Sequence, residues 1–332
     1  MAHELFGERF FGKQRKPAWH GLGTTFDVPL SAVNAFDALG RYEIHAEKLY
    51  RANGGVVQAQ AIVRELTAKG ETEAVIGVVG PDFTPIGPGV TCQVYDDTVN
   101  RPVETIGALR NGECLFISTK LPSIDVRGDE VEMYLLLVNP MGGGEAIQIR
   151  TTPVRVVCAN TLTMGQQMSQ QLYRVRHDSN ALGNMNEWLK HVMGKAEAQV
   201  AMMKEALEIL AGYHLSTGQV MEAVNLTYPE PRKLRNTAPT EVMVKRAEHR
   251  EYVAETRAVS RETVVKLFNG EGTGMGRPEA NGTAYGLYNA VCEYEDCRWS
   301  KNPEGALESA VFGARADTKV LAFETLAGMA KR

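Results

Sequence analysis

The sequence predicts an α+β fold: a mainly antiparallel sheet in the N-terminal half followed by a helical C-terminal half. Three observations carry that expectation. Residues 41 to 157 read as short apolar or alternating runs broken by turn residues, which is strand patterning. The connections between these runs are short, as antiparallel pairing allows. From Ala159 onward the pattern turns helical.

Taken in order, Ser31 is placed to cap a helix running to about Leu39. Tyr42 to Glu47 alternates loosely, and Asn53-Gly54-Gly55 signals a turn before a long strand from Val56 to Leu66. Ala74 to Val79 is a short apolar run closed by Gly80-Pro81-Asp82. Glu113 to Leu121 and Val131 to Asn139 are the clearest strands, with a turn read across Pro122 to Asp129. Met141 to Gly144 forms a loop before a strand from Ala146 to Thr151. Ala181 to Tyr213 carries an apolar stripe at Met185, Trp188, Leu189, Val192 and onward to Leu210, which predicts one long amphipathic helix. Further helices are expected from Thr240 to Phe268, Thr283 to Trp299 and Pro303 to Met329, the last broken near Gly313. The resulting organisation is an extended arm over residues 1–30, a sheet-rich α+β domain over 31–180 and a helical region over 181–332. That region holds a Pro-rich linker near 228–239 and a Gly-rich loop near 269–282.

The chain has 332 residues, 36 Lys and Arg against 40 Asp and Glu, and a net charge of −4. These ordinary values exclude a disordered tail, a collagen-like repeat and a small disulfide scaffold. Nucleic-acid binding would need a local patch rather than a basic chain. No stretch approaches the length of a membrane span, and the N-terminal residues lack the apolar run of a signal peptide. Five widely spaced cysteines then read as reduced, structural thiols of a cytoplasmic protein, in the host cell if the gene is phage-borne.

Most chemical motifs fail on detail. Gly270 to Arg277 is Gly-rich but lacks Gly-Lys-Ser/Thr and follows a helix, so it reads as a connector. No histidine lies in a zinc pattern, and Asp125 and Asp129 lack the spacing of a calcium loop, so no cofactor or metal is expected. His177-Asp178 resembles an acid/base pair, although an Asp at that point is also an ordinary helix-start residue.

Charge distribution says more. Residues 146 to 177 contain no Asp or Glu but hold Arg150, Arg155, Arg174, Arg176 and His177. Arginine forks suit phosphate, and Tyr173 offers a stacking face for a base. A second basic concentration runs from Arg232 to Lys266 and is interleaved with glutamates, which reads as a solvated helix surface. Within it, Arg232, Lys233 and Arg235 in the linker form a minor candidate for polyanion contact.

Several segments carry a resemblance. They are Pro17 to Gly23, Ile76 to Gly80, Glu104 to Leu109, Arg155 to Leu162, Arg176 to Asn180 and Gly282 to Tyr294. In order and spacing they resemble the phage/plasmid-like protein family, a domain of unknown function. The resemblance covers about residues 17 to 325, and its most specific segments are Arg155-Val-Val-Cys-Ala-Asn-Thr-Leu162 and Gly282-Thr-Ala-Tyr-Gly-Leu-Tyr-Asn-Ala-Val-Cys-Glu-Tyr294. Family members often carry a His-Asp-Gly-Ser-like turn where this chain has Asn139 to Gly144, so a histidine there has no role here. The resemblance implies a mobile-element setting. Strands followed by helices, with a basic groove, also offer an analogy to phage single-strand annealing proteins. The expectation is a homo-oligomer that binds single-stranded DNA without catalysis, its contacts drawn from Arg150, Arg155, Tyr173, Arg174, Arg176, His177, Arg232, Lys233 and Arg235. The alternatives are an enzyme acting on nucleotides or nucleic acid, and a phage structural or host-interaction protein.

Overall fold

The structure, a computed structural model, describes residues 11–13, 24–26, 28–66, 73–155, 173–232, 240–297, 309 and 313–332. Its architecture is α+β, with antiparallel sheets in the N-terminal half and helices mostly in the C-terminal half. The strands are β1 (Phe11–Lys13), β2 (Thr24–Thr25), β3 (Tyr42–Tyr50), β4 (Val56–Leu66), β5 (Ala74–Val79), β6 (Thr105–Leu109), β7 (Cys114–Val126), β8 (Asp129–Pro140), β9 (Ile147–Arg155) and β10 (Tyr173–Val175). The helices are α1 (Ala32–Ala38), α2 (Pro88–Val99), α3 (Ala181–Gly212), α4 (Thr217–Thr227), α5 (Thr240–Lys266), α6 (Ala284–Cys297) and α7 (Ala314–Ala330).

One sheet has the order β10-β9-β8-β7-β6-β1-β2, and a second has the order β3-β4-β5. The backbone explains the short connections. Arg127 and Gly128 both have positive φ, the geometry of a two-residue hairpin turn between β7 and β8. Asp125 Oδ1 accepts the Gly128 N–H at 3.0 Å and closes that turn. The expected turn across Pro122 is a correction: β7 runs through it to Val126, and the register shifts between Leu121 and Ile124 instead. Likewise, the chain after Ala159 is not all helical, because Tyr173–Val175 pairs antiparallel with β9.

Alternation decides which sheet face joins the main core, although the central strands bury residues on both faces. Ile117, Leu137 and Ile149 stand opposite one another in register, and Val131, Met133 and Leu135 share their face. That face meets the α3 stripe of Met185, Leu189, Val192, Ala196, Met203, Leu207 and Leu210. The same cluster continues without a break through Val220 and Val224 of α4, Tyr285 and Tyr288 of α6, and Phe323 and Leu326 of α7. Sheet and helices therefore share one core. The second sheet docks through a backbone approach that only glycine permits: a Cβ at Gly77 would lie 1.9 Å from the Gly142 carbonyl oxygen.

Candidate functional site

After α4 the sequence Tyr228-Pro229-Glu230-Pro231-Arg232 cannot continue a helix, because each proline lacks an N–H and clashes with the preceding turn. The segment lies along α5, which holds it by arginines. Arg261 donates to the Tyr228 carbonyl at 3.0 Å, Arg257 to that of Pro229, and Arg250 to that of Arg232 at 3.3 Å. Arg261 also pairs with Glu230.

Between segment and helix runs an open cleft of about 910 Å³. It is lined by Arg232, Lys245, Arg246, Arg250 and Arg257, with His249 among them and Glu230 as the single carboxylate. Pro229, Pro231, Val242 and Val253 supply apolar lining between the charges. Among the described residues none of the five cations forms an ion pair, whereas Glu230 is already neutralised by Arg261. Helical geometry produces this separation. At about 100° per residue, Val242, Arg246, His249, Arg250, Val253 and Arg257 fall on one side of α5. Glu241, Glu248, Glu255 and Glu262 recur every seven residues on the other side. The basic stretch is thus charge-segregated rather than evenly mixed.

The other expected contact residues do not gather in this cleft. Arg174 pairs with Gln148 in register, so it shares a sheet face with Arg150, while Tyr173 points to the opposite face. Burial draws the Arg150 guanidinium down to about 10. Arg174 and Arg176 are exposed. Tyr173 stacks on Trp188 with centroids 4.4 Å apart and meets the edge of His191 at 5.4 Å. Of Arg155 only the backbone, at the end of β9, is described. Lys233 and Arg235 lie outside the described residues, and Arg232 lines the cleft.

His177 is buried and stacks on Phe83 with centroids 4.7 Å apart. Neither ring nitrogen closes a hydrogen bond of normal geometry within the described residues. Loss of hydration therefore holds its pKa below the ordinary imidazole value, against the opposing pull of nearby Pro140, Thr84 and Asp178. Asp178 Oδ1 accepts the Asn180 N–H at 2.8 Å, opening α3 rather than binding the ring. The two residues therefore do not form an acid/base dyad.

Two motifs set aside in the sequence do meet. Buried Asp129 accepts the Tyr285 hydroxyl at 2.7 Å, and Arg277 Nη1 lies 3.5 Å from its other oxygen. This ties the β7–β8 hairpin to the Gly-rich loop. Thr273 donates to Glu293 from its backbone and its hydroxyl, at 2.9 and 3.0 Å, pinning the same loop to α6. Thr283 Oγ1 accepts the Gly286 N–H at 3.1 Å at the start of α6. The Gly282–Tyr294 segment is therefore a packing and capping device around the loop. Among the described residues no group of three or more His, Cys, Asp or Glu is arranged to hold a metal, and no helix is long and apolar enough to cross a membrane.

Comparisons with curated proteins and with solved structures return no match. A family model does match, over residues 75–315, which takes in the larger part of the principal sheet, the cleft and the α6 segment. By that match, the chain belongs to the family described as Domain of unknown function (DUF932).

Proposed function

We propose that this protein binds single-stranded nucleic acid along the α5 cleft, acting by binding rather than by chemistry of its own. The observation that carries this is the set of five cations, none in an ion pair among the described residues, against one carboxylate in an open cleft. Arginine and lysine so placed suit a phosphate backbone, and the fork of arginine can bind two phosphate oxygens at once. The interleaved Val242, Val253 and prolines favour a single strand, whose base faces are free to lie on apolar surface. A duplex keeps those faces stacked inside. The resemblance to phage/plasmid-like proteins supports a place in mobile-element DNA metabolism, such as strand protection or annealing. Exposed Val75 and Val78 on β5 support self-association.

The test is the double substitution Arg246→Glu and Arg250→Glu. Neither side chain belongs to the core, so the circular dichroism spectrum should match the unmodified protein. Fluorescence anisotropy with a labelled single strand at low salt should show affinity reduced at least about tenfold, whatever the base sequence. Equal affinity of the two proteins would sink the assignment.

A further inference from the structure

The described sheets end in four edge strands, and three of these are guarded. β2 and β10 are only two and three residues long. β3 is longer, but Glu43, His45, Glu47 and Lys48 run along it. Short strands and charged side chains keep an unpaired edge from accepting another strand. β5 has neither guard: it reads Ala-Val-Ile-Gly-Val-Val, six residues without a charge or a proline. We infer that β5 is a docking edge for the β5 strand of a second copy of the chain, paired antiparallel about a two-fold axis. The inference rests on the self-association in the functional reading and makes it specific; nucleic acid plays no part in it.

The surroundings of β5 prepare it for this pairing. Among the described residues its one strand partner is β4. Its inner face is backed by the loop after β8: a Cβ at Gly77 would meet the Gly142 carbonyl oxygen, and one at Gly143 would lie 2.4 Å from Val79 Cγ1. That support holds the strand extended before a partner arrives, which lowers the ordering cost of binding. The register with β4 shifts at Ile76, since Val75 stands opposite Val63 and Gly77 opposite Ile62. The bulge puts Val75 and Val78, three residues apart, on the same outer face, beside Val63 and Ala61. Val75 and Val78 are each 63 % exposed, whereas Val63 and Ala61 in the middle strand are buried.

Self-complementarity selects the occupant. A two-fold antiparallel pair lays an uncharged strand against itself, so no like charges stand opposite one another. It also brings the exposed valines of both copies together on one face of a continuous sheet. A single strand pair is small against the roughly 1,600 Å² of a standard stable interface, so dimerisation is expected to depend on concentration.

The experiment uses the full chain without nucleic acid, in sedimentation velocity runs from about 1 to 200 µM. The mass should rise toward that of a dimer along the series. Hydrogen exchange at the two ends of the series locates the contact: amides of residues 74–79 should exchange at least about fivefold more slowly at the high end, while those of β3 do not change. Val75→Lys with Val78→Lys should abolish both effects, and circular dichroism confirms that this variant folds. Association without slower exchange in β5, or slower exchange that the lysine variant retains, overturns the edge pairing and leaves self-association standing. A monomer at every concentration removes both and leaves the α5 cleft untouched.

Discussion

At Gly286 the backbone leaves no space for a methyl group, because a Cβ would lie 1.9 Å from the Ala280 carbonyl oxygen. Gly286→Ala is therefore expected to cost about 3 kcal/mol, read as a lower denaturant midpoint with an unchanged slope. The glycine was visible in the sequence as part of a motif, but its reason was not: the crowding comes from the loop packed on it. His177 makes a different prediction. Its folded pKa lies below the ordinary value, so the unfolded chain binds its proton more readily. Its contribution to stability is complete above the ordinary imidazole value of about 6.5 and declines as pH falls below it. His177→Phe, which keeps a ring against Phe83, should flatten stability between about pH 6.5 and 5 in thermal melts. A variant whose pH profile matches the unmodified protein would rule out this burial effect.

Periodicity makes the long elements legible in the sequence. The α3 stripe and the Ser31 cap, which accepts the Asn34 N–H at 3.2 Å, both lie where the sequence put them. The misses have local physical causes. In α2 the β-branched residues Val90, Thr91, Val94 and Thr98 lower helix propensity, and Gly87-Pro88 resembles a turn although proline also suits a first helical position. The α4 start was readable, since Ser216 and Gln219 form a reciprocal capping box. The cleft was hidden by counting charge along the chain instead of around the helix. Read at helical spacing, the cations of α5 separate from its seven-residue glutamate repeat. Glu230 and the Tyr228 carbonyl join the site only through tertiary packing, for which the linear sequence carries no signal. The hairpin turn also acts at this scale. Arg127 Nη1 donates to the Ala211 carbonyl at 3.1 Å at the C-terminal end of α3, where a cation is favourable. Arg127→Ala should cost about 1 kcal/mol in a denaturant titration. No loss of stability would mean that the hairpin is held by Asp129 and the sheet alone.

For the molecule as a whole, a net charge of −4 coexists with a cleft bearing five cations and one carboxylate. An acidic exterior around a cationic strip should confine polyanions to that strip rather than coat the surface. Self-association belongs to the same scale. Val75 and Val78, each 63 % exposed on the edge strand β5, put two apolar side chains on the surface of the second sheet. Substituting both by lysine should lower the mass measured by light scattering if that surface joins copies of the chain; an unchanged mass would place any contact elsewhere. The central claim is phosphate contact in the α5 cleft, and salt titration of single-strand affinity tests it most directly. With about four to five phosphates neutralised, the logarithm of the binding constant should fall against the logarithm of salt with a slope of about −3. A slope near zero, or no affinity at low salt, would contradict the account.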